Sequence, residues 1–211
     1  MNLSEMRTRV RRDLHDEDAD NYRWSDDELD RHVDHAVREL SAASPREAVT
    51  TLYTTEGSRE LSLSGLDGLV QIEAVEYPVG RHPPRYVRYS VWADTLTLLT
   101  DRTPGEAEEV KLFYGCLHTL DAEGSTIPQR LEDLIALGAE GYASLEWASF
   151  ATNRVNVGGP DTWHSYLTWG QEQLARFHRR LARLGRRASL RARRLYVPAQ
   201  EPMGQTEVQG P

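Results

Sequence analysis

The sequence predicts an α+β fold: a helical bundle with a long C-terminal helix, carrying an inserted antiparallel β-sheet or small barrel domain. Three observations carry that prediction. Apolar residues recur at helical spacing near both ends of the chain. Between residues 49 and 116 the period falls from 3.6 to 2, with Gly, Pro and Asp turns between the runs. After "GSTIP" the helical beat returns and closes in four uninterrupted heptads. The expected organisation is helices over 1–46, a β insert over 47–120, helices over 121–194 and an extended arm over 195–211.

The first element follows from Leu3, Met6, Val10 and Leu14, spaced by three and four, with arginines on the other side. The polar stretch "HDEDADNY" then reads as a solvated loop. In "YRWSDDELDRHVDHAVREL" four carboxylates crowd into five positions, and local physics accounts for them. Ser25 followed by Glu28 is a capping box, and Asp26 and Asp27 occupy the first turn, where the helix dipole favours negative charge. Leu29, Val33, Ala36, Val37 and Leu40 form one apolar stripe that Pro45 stops, with His32 and His35 off its centre.

Six strands follow, in "VTTLYTT", "RELSLS", "LVQIEAVEY", "YVRYSVW", "TLTLLT" and "EVKLFYGC". Ser125 or Thr126 is expected to cap the next helix, with Pro128 in its first turn and Leu131, Leu134, Ile135, Tyr142 and Leu145 on its buried side. Gly138, Ala139, Gly141, Ala143 and Ala148 make that helix thin, suited to close approach by a second one. In the last helix Trp163, Gly170, Phe177 and Leu184 are seven apart, as are Leu167, Leu174, Leu181 and Ala188. A helix over 161–194 would be roughly 50 Å long, more than one small bundle needs. On its far side Arg176, Arg179, Arg180, Arg183, Arg187, Arg191 and Arg194 fall on one stripe. The tail "LYVPAQEPMGQTEVQGP", with its prolines and glycines, cannot propagate a helix, and its few apolar anchors are Leu195, Tyr196 and Val197.

Composition bounds the function. With 211 residues, 39% of them hydrophobic, the chain can bury a proper core rather than remain disordered. No run of eighteen apolar residues occurs and the charged N-terminus lacks a signal-peptide centre, so a soluble protein without membrane contact is expected. The single Cys116 excludes an intrachain disulfide and a multi-cysteine zinc site. Charge is segregated: 161–196 holds nine arginines against Asp161 and Glu172, so the remaining residues carry the whole net −8 and seven further negative charges. Such polarity steers association, with copies of the chain or with charged partners.

No enzyme chemistry emerges. Asp16, Asp18 and Asp20 open with the rhythm of a calcium loop, but an EF-hand needs glycine where Asn21 stands and glutamate where Asp27 stands. Cys116 and His118 would face one side, yet no third group completes a nucleophilic trio, and a buried thiol beside a surface histidine is the simpler reading. There is no phosphate-binding glycine loop, HExxH or GxSxG. Catalytic, cofactor and metal sites are therefore expected to be absent. The arginine stripe remains, and it suits a charged protein surface or, as the competing reading, the phosphates of DNA.

The stretches "RRDLHDED", "YRWSDDELDRHVDHAVREL" and "IPQRLEDLIALGAEGYASLEWASFATNRVNV" together resemble the head-tail connector, or adaptor, proteins of tailed bacteriophages. The resemblance is best over 1–44 and 125–157 and weaker over the strands and tail. It implies a structural virion protein: a dodecameric ring beneath the portal, extending the channel through which genomic DNA passes without sequence recognition. Its implied partners are the portal protein, a tail-side neck or tail terminator protein, and further copies of itself. It implies a place in the virion neck, after assembly in the host cytoplasm. Partner binding would fall on the arginine stripe and on Leu195, Tyr196, Val197 and Pro198, since in such adaptors a C-terminal segment reaches the portal.

Overall fold

The computed structural model describes residues 1–152 and 162–196, the side chains of the last helix being described through residue 186. It contains four helices and six strands in the order α1 Leu3–Asp13, α2 Asp26–Ala43, β1 Arg46–Tyr53, β2 Glu60–Ser62, β3 Leu69–Glu76, β4 Arg88–Trp92, β5 Thr95–Leu99, β6 Glu109–Cys116, α3 Gln129–Ala151 and α4 Thr162–Tyr196. The α+β class read from the sequence is the class observed. The chain separates into a helical unit, Met1–Arg46 with Leu117–Gly185, and a second unit containing Glu47–Cys116.

In the helical unit each early helix starts on a reciprocal cap. Asn2 Oδ1 accepts from the Glu5 amide and the Glu5 carboxylate accepts from the Asn2 amide. Ser25 and Glu28 repeat that exchange at α2, so the crowded carboxylates are helix-start residues. At α3 the expectation fails. Pro128 is the N-cap and no side chain caps the helix. Ser125 Oγ instead accepts from the Ile127 amide, and Thr126 Oγ1 from the Thr119 amide. Both hydroxyls hold the preceding turn.

The core of this unit joins Met6 and Val10 of α1, Leu29, Val33 and Leu40 of α2, Leu134 and Ile135 of α3, and Leu174, Phe177 and Leu181 of α4. Tyr142 and Leu145, expected inside, are only partly buried at its margin. Small residues set how closely α3 and α4 approach. A Cβ on Gly141 would lie 2.7 Å from Leu174 Cγ, and one on Gly138 would lie 2.9 Å from Ala36 Cβ and 3.0 Å from the Phe177 ring. Gly170 faces the Gly141 carbonyl, where a Cβ would come within 3.0 Å. From Gly170 to Leu181 the heptad seam is therefore packed within the unit itself around Phe177.

The β unit holds two three-stranded sheets, ordered β1-β6-β3 and β2-β5-β4. β3 pairs antiparallel with β6, and β5 with both β2 and β4. Two register shifts interrupt β3, between Leu69 and Gln71 and between Ile72 and Ala74. Glu76 bridges Tyr86, so the segment leading into β4 also pairs with β3. Alternating Leu61, Leu63, Val75, Val87, Leu96, Leu98, Val110 and Leu112 form a separate core.

Candidate interaction surfaces

The acidic start of α2 serves packing. Arg11, on the inner side of α1, donates to Asp16 at 2.6 Å, to the Trp24 carbonyl at 2.9 Å and to Asp26 at 2.7 Å, and stacks over the Tyr22 ring at 3.6 Å. The Arg11 hydrogen bond holds the Asp26 carboxyl below the usual carboxylate range against the cost of burial. Asp16 is only 4% exposed and also accepts from the Arg23 amide, so the loop read as solvated has a buried anchor. Asp18 accepts from the Asp20 amide and from Asn21 Nδ2. The calcium-like rhythm thus serves a turn, and among the described residues no cluster of His, Cys, Asp or Glu is placed to hold a metal ion.

Trp24 is buried and donates from Nε1 to the Ala143 carbonyl at 3.1 Å, pinning the start of α2 to α3. His32, read as off the centre of the stripe, is buried and shares a 2.5 Å hydrogen bond with Glu146, which also receives Arg31. Burial lowers the His32 pKa, and Glu146 only partly restores it. Glu39 gathers His35 at 3.3 Å, His178 at 3.1 Å and the Tyr142 hydroxyl, while His35 stacks on Tyr142. Burial first, then the Glu39 carboxylate, push the Tyr142 phenol up. Glu140 is buried beside Asp13, and burial followed by that neighbour raises its carboxyl to about 8. Apart from His35 with Glu39, one helical turn apart, none of these partnerships is visible in local spacing, because they join residues more than a hundred positions apart.

His118 is also buried rather than superficial. Its amide donates to Ser41 Oγ at 3.0 Å, Nδ1 lies 3.1 Å from the Thr126 carbonyl, and Nε2 lies 3.1 Å from the Ser44 carbonyl. Both ring nitrogens face structural acceptors, which leaves neither to activate a thiol. Cys116 is buried at the end of β6.

The arginine stripe is a surface. Arg176, Arg179, Arg180 and Arg183 are exposed along α4, opposite Leu174, Phe177 and Leu181. Arg176 reaches Gln173 at 3.5 Å. Arg179, Arg180 and Arg183 form no ion pair among the described residues, whereas Arg7, Arg9, Arg11, Arg12, Arg31 and Arg38 of α1 and α2 all do. The helix continues through Leu195 and Tyr196, two residues expected to open the arm. The side chains of Arg187, Arg191, Arg194, Leu195 and Tyr196, and all of Val197 and Pro198, lie outside the described residues. Among the described residues no helix is long and apolar enough to cross a membrane.

Comparison with known proteins gives three results. No curated protein matches the sequence. Among solved structures, a chain from the neck of an empty GTA particle computed with C6 symmetry is 14% identical, the match covering 80% of this chain and 88% of that one, with a TM-score of 0.29. A chain from the neck of a native GTA particle computed with C12 symmetry is likewise 14% identical, with 79% and 86% covered and a TM-score of 0.29. At that TM-score neither likeness bears on the fold or role of this chain. The family comparison is decisive: the model of the SU10 adaptor proteins matches residues 1–196, so this chain belongs to the SU10 adaptor protein family, which is structural and not enzymatic.

Proposed function

We propose that this adaptor forms a ring beneath the portal of a tailed phage-like particle, continuing the DNA channel and offering the tail a docking surface. The helices of 1–46 and 121–194 form the body of each subunit, and the β insert of 47–120 is a separate module for contacts. The face of Arg176, Arg179, Arg180 and Arg183, extended by Arg187, Arg191 and Arg194 and by Leu195, Tyr196, Val197 and Pro198, meets acidic surface on the portal or on a neighbouring copy. One observation carries this reading. Arg179, Arg180 and Arg183 are exposed without ion pairs among the described residues, on a helix whose apolar seam is already filled.

Uncompensated cations on a rigid helix favour an anionic partner through complementary potential. Glutamate matches arginine closely in helix propensity, so charge reversal leaves α4 intact. The triple variant Arg179→Glu, Arg183→Glu, Arg187→Glu is expected to remain folded and to lose assembly on the portal in negative-stain images. Assembly at the parental level would reject the arginine face. Removing 197–211 is expected to leave a folded protein that a portal pull-down no longer retains. The same arginines favour a second reading, direct DNA binding. A salt-dependent gel shift of the isolated protein on duplex DNA separates the two.

A further inference from the structure

The β unit carries a groove of about 850 Å³, within the range of roughly 300–1,000 Å³ in which proteins hold ligands. Its walls come from the segment Tyr77 to Arg88 and from the turn joining β5 to β6, and four arginines line it: Arg81, Arg85, Arg88 and Arg102. All four are exposed. Arg102 lies 3.9 Å from Glu108, which also accepts from the Tyr77 hydroxyl. The Tyr77 hydrogen bond holds the Glu108 carboxyl below its usual range, so that acid stays charged and occupied by its own neighbours. Arg81, Arg85 and Arg88 have no ion pair among the described residues. Four arginines against Asp101, Glu108 and Glu109 leave the groove a small positive balance in a chain of net charge −8, with its unpaired cations on the segment Arg81 to Arg88.

Its architecture is built. Arg59, the residue before β2, donates to the Thr100 carbonyl at 3.0 Å and the Asp101 carbonyl at 3.1 Å, tying one wall to the start of that strand. The Tyr86 ring meets Phe113 edge-on at 6.0 Å, which steadies the other. Besides the arginines, Pro78, Val79 and Leu99 add apolar lining, while Asp101 and Glu109 add negative charge.

We propose that this groove binds an extended acidic polypeptide segment of another protein in the particle. Guanidinium forks suit carboxylates, and the apolar wall suits the carbons between them. A nucleic acid fits less well, since its evenly spaced phosphates cannot avoid Asp101 and Glu109, whereas a polypeptide can place carboxylates opposite the arginines alone. The site lies on a different element from the arginine face of α4, and the two stand or fall separately.

Fluorescence anisotropy tests the proposal, using a labelled peptide of glutamates alternating with proline and glutamine, the same peptide with lysine for glutamate, and labelled single-stranded and duplex DNA. The acidic peptide is expected to bind the full-length protein. Its affinity should fall roughly tenfold in Arg85→Glu/Arg88→Glu, about the worth of one charge-assisted contact, and stay unchanged in Arg179→Glu/Arg183→Glu. Far-UV circular dichroism checks that the variants remain folded. Four results would overturn the proposal: no binding of the acidic peptide, equal binding of the lysine peptide, tighter binding of either DNA, or an affinity indifferent to the groove substitutions. Loss through the α4 pair alone would also overturn it, assigning acidic partners to the helix instead.

Discussion

The α1–α2 network of the helical unit and the groove of the β unit treat their arginines in opposite ways. In α1 and α2 every arginine has an acid, the Arg11–Asp16 pair being buried, and the large apolar residues close around Phe177 and Trp24. In the β unit the arginines of the groove face outward, and Val49, Tyr53, Val91, Trp92 and Leu99 remain exposed, Trp92 by 87%. The α1 and α2 arginines are satisfied within their own unit, whereas Arg81, Arg85 and Arg88 of the groove form no ion pair among the described residues. Exposed aromatic and arginine side chains on a separately cored module are what recognition of another protein requires. Substitutions should therefore cost folding in the core and the α1–α2 network, and contacts in the groove.

The largest effect is expected from Phe177→Ala, which empties the site between Gly138, Ala36 and α4. It should lower stability by about 3–5 kcal/mol in denaturant titration. A loss under 1 kcal/mol would mean that α4 is not integral to the core. Arg11→Ala comes next. It strands buried Asp16, and the penalty for breaking a buried pair is about 3 kcal/mol or more; a near-neutral result would show that the network adds nothing.

Glu140 sharpens the comparison through pH. Its folded carboxyl titrates near 8 against an ordinary 4.5, so its contribution is complete below 4.5 and is lost as the pH rises through about 8. Glu140→Gln, which stays neutral, should gain thermal stability over the parent progressively across that window. A constant difference in melting temperature would show that Glu140 is not the titrating group. The smallest effect is expected in the β unit, where Arg85→Glu/Arg88→Glu should change stability by no more than about 0.5 kcal/mol. A clear loss would mean that the groove arginines hold the module together and that the contrast between the units is false.

The fold was legible wherever a pattern is local. Period-two alternation located all six strands, and Ser25 with Glu28 located the start of α2. The thinness of α3 at Gly138 and Gly141 correctly announced a close helix partner. The errors arose where local chemistry had two solutions. Ser125 and Thr126 are as able to hold a turn as to cap a helix, and the nearby amides of Ile127 and Thr119 took their hydroxyls for the turn. Asp16 and His118 looked solvent-facing because their partners, Arg11, Ser44 and Thr126, are fixed only by tertiary packing. A hint was present for Arg11, which follows Val10 on the inward side of α1 and sits four residues from Arg7. For the groove there was none, since its arginines are gathered by the approach of two separate segments.

The bond from the His118 amide to Ser41 Oγ, reinforced by the ring's contact with the Ser44 carbonyl, brings the chain's departure from the helical unit and its return to one spot. Seventy residues can be threaded out and back there without disturbing α2 or α3. A short turn spliced between those two points would leave the bundle whole, which makes the β unit an exchangeable cassette, free to diversify while its carrier stays constant.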